Sequence, residues 1–407
     1  MNNYIFTRVS TAIIISILIT SLSFAQNWHI QNSNTIKELE GIHMITSTEG
    51  WICGDDGVML HTTNSGDTWT VSTLTSSDLN QIVFKDASNG IVVGDDGKIF
   101  STTNGGINWN PKNSGTNTDF NGAAYAGSST YFAVGDTGVA FKSTDNGNTW
   151  ISLNTSTVQE LHSVAAIDQK VWIGARNGLM LFSSNGGTTF ASMSNPASDD
   201  IKDIQFIDAS TGFACGSNSF FMFTSDGGTN WVSRSSGIQH ELDGLHFVNQ
   251  SIGWVVGDAG NLYSTTNAGL NWIAEQSQTI QDLNSIHSFD GINVWGVGEF
   301  GVIITNYSSP SGIDLENNIA FNYNLEQNYP NPFNPSTTIW FSIPASGFIS
   351  LKVYNTLGVE VKTLVNQVLS AGSYSIEFNA DGLNSGVLFY TLSSNNFKYT
   401  RKMILTK

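Results

Sequence analysis

The sequence predicts an all-β chain, a seven-bladed β-propeller followed by a small C-terminal β-sandwich of the immunoglobulin-like kind. Three observations predict it. A cassette such as Ser143-Thr-Asp-Asn-Gly-Asn-Thr-Trp150 returns at start positions 62, 102, 143, 183, 224, 265 and, in worn form, 304. A period near 40 with strand-like flanks is the signature of a propeller array. The chain is rich in Gly, Ser, Thr and Asn, with only 12% charged residues, which suits short strands and turns rather than helices. After residue 323 the 40-residue period gives way to alternating apolar and polar runs.

Each repeat follows one plan. A first strand reads like Leu79-Asn-Gln-Ile-Val-Phe84 and a second like Gly253-Trp-Val-Val-Gly257. A tight turn such as Gly94-Asp-Asp-Gly97 comes next, then a third strand such as Lys98-Ile-Phe-Ser-Thr102; the pairing is a hairpin signal. The cassette Trp opens a fourth strand. The seventh repeat stops after its third strand. Asn27-Trp-His-Ile-Gln-Asn-Ser33 resembles the post-cassette run Asn108-Trp-Asn-Pro-Lys-Asn-Ser114, so the N-terminal segment is expected to complete the last blade. Closing the ring removes exposed sheet edges. The expected ring therefore spans residues 26–306, with a linker over 307–323 and a second domain over 324–407.

The cassette has a mechanical reading. Its third residue (Asn64, Asn104, Asp145, Asn185, Asp226, Asn267) closes a turn onto backbone N–H groups. The Gly two places later takes positive φ, and the ring (Trp69, Trp109, Trp150, Phe190, Trp231, Trp272) anchors the hairpin. The pattern resembles the Asp-box, or BNR repeat, of sialidases and related propellers. In those families it sits away from the active site, which implies a structural role here. Asn stands at the acidic position in four of the six good copies, which speaks against catalysis or calcium binding there.

The first 25 residues read as a secretory signal. Arg8 supplies the positive region, residues 11–24 are apolar, and Ser23-Phe24-Ala25 is a small-x-small cleavage site. No later run is long and apolar enough to suggest a membrane span. Residues 27–306 hold 27 acids against nine Lys plus Arg, whereas residues 324–407 hold four acids and six bases. Such an acidic ring repels phosphate backbones, so nucleic acid is not an expected partner. Cys53 and Cys215 occupy equivalent places in the first and fifth repeats. Those repeats are not neighbours in a seven-membered ring, so the sulfurs are expected to be buried free thiols beyond disulfide reach.

The turn Val-Gly-x-x-Gly and the cassette Thr-x-Asx-x-Gly-x-x-Trp, on their 40-residue period, also resemble the photosystem II stability and assembly factor family. The resemblance implies a ring used as an assembly scaffold. That family carries an arginine cluster, and this ring has only Arg176 and Arg234. The C-terminal residues Asn328-Tyr-Pro-Asn-Pro-Phe-Asn-Pro335, Tyr354-Asn-Thr-Leu-Gly358, Leu369-Ser-Ala-Gly372, Gly386-Val-Leu-Phe-Tyr390 and Lys402-Met-Ile-Leu405 resemble a type A sorting domain of the type IX secretion system. This implies that residues 324–407 engage that machinery and that the chain is secreted or placed on the outer cell surface.

No catalytic set emerges. Sialidases hold a substrate carboxylate with three arginines, and Lys does not readily substitute in bidentate recognition. Metalloprotease, nucleophile-elbow and phosphate-loop motifs are missing from the sequence, and no metal or cofactor is expected. The ring is expected to be non-catalytic and to bind a protein or glycan on one face. A glycoside hydrolase, with two carboxylates across a sugar, is the alternative. The candidate ligand residues lie in repeats six, seven and one: His43, His246 and His287 at the fifth place of the first strand, Glu40 and Asp243 at the second, and Asp55, Asp258 and Glu299 after the second strand. Together they predict one sector lined by histidines and acids near the central channel. The plainer reading makes the histidines caps on strand packing, far apart across the ring. Trp51, Trp172, Trp254 and Trp295 are expected between blades.

Overall fold

A computed structural model describes residues 28–235, 237–307, 313–316, 323–343, 347–369, 372–394 and 397–406; the signal segment lies outside these. Seven four-stranded antiparallel sheets follow one another from residue 29 to 305. Blade one runs from its inner strand Leu39–Met44 through Gly50–Gly54 and Val58–Thr62 to the outer strand Thr70–Thr73. Blade seven takes Leu283–His287, Trp295–Gly298 and Ile303–Thr305 from the end of the array, and its outer strand is His29–Gln31. His29 pairs with Thr305 and Gln31 with Ile303. The ring is therefore held shut by a strand from its other end.

Apolar side chains fill the gaps between blades. Leu39, Ile42 and Met44 of blade one pack with Trp295, Val297 and Ile303 of blade seven. Trp51, Trp172, Trp254 and Trp295 are all buried. Three of them also reach into the next blade's cassette: Nε1 of Trp51 donates to the Gly105 carbonyl, of Trp172 to Gly227 and of Trp295 to Ser65. Cys53 and Cys215 are free, buried and in separate clusters, and burial pushes both thiols up.

Each cassette closes as its chemistry dictates. In the first, Thr62 Oγ1 accepts from the Gly66 N–H at 2.8 Å and donates to Asn64 Oδ1, which accepts from the Thr68 N–H at 3.0 Å. Gly66 has φ +83°, a left-handed conformation that favours glycine, and a Cβ there would also push on the Gln31 amide, 2.0 Å away. The same carboxylate or amide bond recurs from Asn104 to Asn108, Asp145 to Thr149, Asn185 to Thr189, Asp226 to Asn230 and Asn267 to Asn271. Trp69, Trp150 and Trp231 are buried, while Trp109, Phe190 and Trp272 are partly so.

The C-terminal residues form two four-stranded sheets around one apolar core that includes Phe333, Phe341, Ile349, Phe378 and Leu392. Asn328 is buried. Its N–H donates to the Tyr390 hydroxyl at 2.8 Å and its Nδ2 to Thr337 Oγ1 at 2.9 Å, which pins the proline-rich entry onto the sheets. One expectation is corrected. The stretch read as linker contains a strand, Ile313–Glu316, whose backbone pairs with Gly372–Asn379. Its sequence, Ile-Asp-Leu-Glu, has the period of two that a sheet edge accepts.

Candidate functional site

The inner strands place the site. Their first, fourth and sixth residues are buried between blades, while the second, third and fifth are less buried and face the channel, as in Leu79–Phe84; in Leu39–Met44 the third residue is the buried Gly41. Every inner strand carries a register shift between its first and third residues. A bulge re-aims the extra side chain, so the second position turns towards the channel mouth in all seven blades. Those seven residues are Glu40, Asn80, Asn121, His162, Lys202, Asp243 and Asn284, and together they line a cavity of about 350 Å³.

Three of the seven are clamps. Asn80 Nδ2 donates to Asp95 Oδ1 and to the Phe120 carbonyl of the next blade at 2.9 and 3.0 Å. Asn121 does the same to Asp136 and Leu161 at 3.0 and 3.1 Å, and Asn284 reaches the Leu39 carbonyl at 3.2 Å. The other four positions hold ionisable groups. Burial, then repulsion from Glu38, raises Glu40 to about 8. Burial raises Asp243 to about 7, against the pull of Lys202. Burial and Asp78 raise Asp55 to about 6, and burial with Asp282 raises Asp258. One carboxylate oxygen each from Glu38, Glu40 and Asp55 lie within 4.8 Å of one another, the one grouping among the described residues compact enough for a cation. Oxygen ligands of this kind suit a hard ion.

A further ring of acids escaped the sequence reading. The residue before each inner strand is Glu38, Asp78, Asp119, Glu160, Asp200, Glu241 or Asp282, an acid in all seven repeats. Its role is visible in the bonds: Asp78 Oδ1 accepts from the Asp56 N–H of the preceding blade at 2.7 Å, Asp119 from Asp96 at 2.8 Å, Asp200 from Asn177 at 2.8 Å and Asp282 from Ala259 at 2.6 Å. Alignment of the seven repeats at that column was the available signal. Bases answer only some of the acids at this mouth, and Lys37 beside blade one is paired with Asp56 in the turn there. Arg176 pairs with Glu160 at 3.1 Å, His162 lies 3.6 Å from Glu160, and Lys202 lies 3.7 Å from Glu241. Glu40, Asp55, Asp258 and Glu299, in blades one, six and seven, have no ion pair within 4 Å among the described residues.

The histidines are elsewhere. His43, His246 and His287 cluster with tilted rings, the centroids 4.6 Å apart for His43 and His287 and 4.3 Å for His246 and His287. They are therefore not spread across the ring. They are also not joined to the acids: His43 and His287 line a separate cavity of about 320 Å³ with Phe84, Lys85, Asp86 and Phe289. Three residues of strand, about 10 Å, divide the second position from the fifth. The expected single sector of histidines and acids is thus two sites at different depths. Two of the three imidazoles bond backbone of the next blade: His287 Nδ1 accepts from the Met44 N–H at 3.2 Å, and His246 Nε2 donates to the Ser288 carbonyl at 2.8 Å. Gln205, at the same place in blade five, bonds both the N–H and the carbonyl of Phe247. Burial lowers His43 and His246 to about 4, and burial likewise holds His287 well below the ordinary imidazole value. Of the two ring arginines, Arg234 lies over Phe223 at 3.7 Å and donates to the Ala268 carbonyl, so it is not free to join Arg176 on a carboxylate.

The family model described as photosynthesis system II assembly factor YCF48 matches residues 71–170 and 188–278, and that of a secretion system C-terminal sorting domain matches residues 327–406. No curated protein matches the sequence. Among solved structures, "YCF48 bound to D1 peptide" is 17% identical with a TM-score of 0.59, over 69% of this chain and 97% of that one. YCF48 from Cyanidioschyzon merolae is 17% identical with a TM-score of 0.58, over 68% and 98%. The Niastella koreensis GH74 enzyme is 17% identical with a TM-score of 0.54, over 67% of this chain but 43% of that enzyme. At these identities the structural likeness speaks to fold. The chain joins a YCF48-like BNR propeller to a type IX secretion sorting domain, which sends it to the cell surface or beyond.

Proposed function

We propose that the ring is a non-catalytic binding module, delivered outside the cell by its sorting domain, that holds a protein or glycan partner against the channel-mouth face. One observation carries this reading. The fold has a use for asparagine at the second inner-strand position, where Asn80, Asn121 and Asn284 join one blade to the next. Four blades give that clamp up for Glu40, His162, Lys202 and Asp243, all in one cavity. A cavity whose polar lining departs from the repeat's own bonding needs supports a recognition role, since convergent polar groups in a concavity fix a ligand's orientation. The relative whose structure is titled as bound to a D1 peptide supports a polypeptide over a glycan.

The test is site-specific photo-crosslinking on living cells. A photoreactive residue replaces Asn117 on the mouth face or Thr188 in a cassette on the other. Protein adducts from position 117 and none from 188 are expected. Adducts from 188 alone, or a purified chain that captures glycans on an array and gives no protein adduct, remove the protein reading. A second reading has its own observation: Glu40 and Asp243, raised to about 8 and about 7, line one cavity, and glycoside cleavage uses one protonated carboxyl with one ionised partner. Hydrolysis of a polysaccharide that is lost in Glu40→Gln would establish it.

A further inference from the structure

The mouth face carries three large apolar side chains that the fold does not use. Ile36, Val158 and Ile280 are 82%, 84% and 81% exposed. They stand at the same place in three of the seven connections that enter an inner strand; the others hold Ser76, Asn117, Ser198 and Gln239. A fourth, Phe300, is 66% exposed. It is the second residue of the blade-seven turn, with φ +53°. The equivalent residues, Asp56, Asp96, Thr137, Asn177, Asn218 and Ala259, share that left-handed conformation. Asp and Asn tolerate it; a bulky residue there is an outlier held at about 1–3 kcal/mol. An exposed aromatic ring recovers none of this by burial.

Three of the four fall together. A Cβ on Gly301 would lie 2.2 Å from the Thr35 carbonyl, and one on Gly260 would lie 2.2 Å from that of Thr279. The Phe300 turn therefore rests beside Ile36, and the Ala259 turn beside Ile280, at adjacent blade junctions. This is the sector where Glu40, Asp55, Asp258 and Glu299 lack ion pairs, and its own base, Lys37, is taken up by Asp56. Val158 stands apart at the junction of blades three and four, near Arg176 and His162, where the acids are answered.

We propose that Ile36, Ile280 and Phe300, with the acids of blades six, seven and one, form the docking surface for a basic amphipathic polypeptide segment. The inference rests on the mouth-face reading above and names its partner's chemistry. The apolar side chains take the partner's apolar residues. Glu299, Asp258, Asp55 and Glu40 take its lysines and arginines, whose charge relieves the crowding of carboxylates at the rim. An acidic or phosphate-bearing partner meets repulsion at the same surface.

The experiment uses the full chain and a fluorescent peptide of alternating Lys and Leu, read by anisotropy. Binding is expected, and it weakens as salt is raised. Phe300→Gly with Ile36→Ser weakens it about tenfold, whereas Val158→Ser changes it less than about twofold. Phe300→Gly alone raises Tm, because glycine takes the left-handed turn without strain. A gain in Tm with a loss of binding marks the ring as a contact rather than a prop. Equal binding of an alternating Gln and Leu peptide, equal loss in Val158→Ser, or no binding of the basic peptide overturns the inference. In the last case crosslinks from position 117 still stand or fall separately, so the mouth-face reading is judged on its own.

Discussion

The two ends of the channel are built from the same seven strands and solve opposite electrostatic problems. At the fifth position, Gln205, His246 and His287 each bond backbone of the next blade's sixth residue. The imidazoles there are neutral and clustered, and two of the three are bonded into the fold. At the second position, burial above all displaces Glu40 and Asp243 from their ordinary values in the other direction, with neighbouring carboxylates adding to it. At one end the stitch runs through three consecutive blades, five, six and seven. The other breaks the rule set by Asn80, Asn121 and Asn284. Departure from a repeat's own bonding pattern, more than the presence of ionisable residues, separates the recognition surface from the scaffold.

The largest expected effect comes from acid at the histidine end. His43 and His246 titrate near 4 in the folded ring, against 6.5 ordinarily. The folded state therefore binds fewer protons than the unfolded chain in that window. The stability tied to these groups is complete above about pH 6.5 and is lost as pH falls towards 4, on the order of 3 kcal/mol per imidazole. Thermal melts of the ring should show a steep fall in Tm over that range. His246→Gln with His287→Gln should flatten it, since Gln205 shows that an amide makes the same stitch. A Tm that falls as steeply in the double variant would place the acid sensitivity elsewhere.

The fold was legible because it is repeated. Seven copies of one cassette, a strand that completes the last blade and a second domain with its own motifs all leave marks in sequence. The site was half legible. Glu40 and Asp243 stood out as ionisable residues at an inner-strand position, but nothing local says that a bulge turns that position to the mouth. The histidines were seen as a group, yet strand spacing, not residue type, decides that they lie apart from the acids. The acid ring from Glu38 to Asp282 went unread although it fills one column of the repeat, because its role, a bond to a turn N–H one blade away, is non-local. Phe300 could not be singled out without its backbone angle.

At the mouth the sign reverses. Glu40 titrates near 8 in the folded ring, above its ordinary 4.5, so the folded state holds the proton longer than the unfolded chain. Stability linked to it is complete below about pH 4.5 and is lost as pH rises through 8. Glu40→Gln should raise stability at pH 9, on the order of 2 kcal/mol after allowance for its partial contact with water, and leave it unchanged at pH 5. Urea midpoints at the two pH values measure this. A gain of equal size at both would mean that the side chain is misfitted rather than overcharged.

The smallest effect tests the rule itself. Asn121 joins Asp136 to the Leu161 carbonyl, with no proton to gain or lose. Asn121→Ala should cost about 1–2 kcal/mol, as a partly buried carbonyl loses its donor, and the loss should be the same at pH 5 and pH 9. Urea denaturation at both pH values, set beside Glu40→Gln, compares a clamp with a departure at one position of the fold. A loss that grows with pH would show that the amide works chiefly by holding the Asp136 carboxylate. The second position would then be electrostatic in every blade, and the asparagines would belong to the mouth rather than to the scaffold.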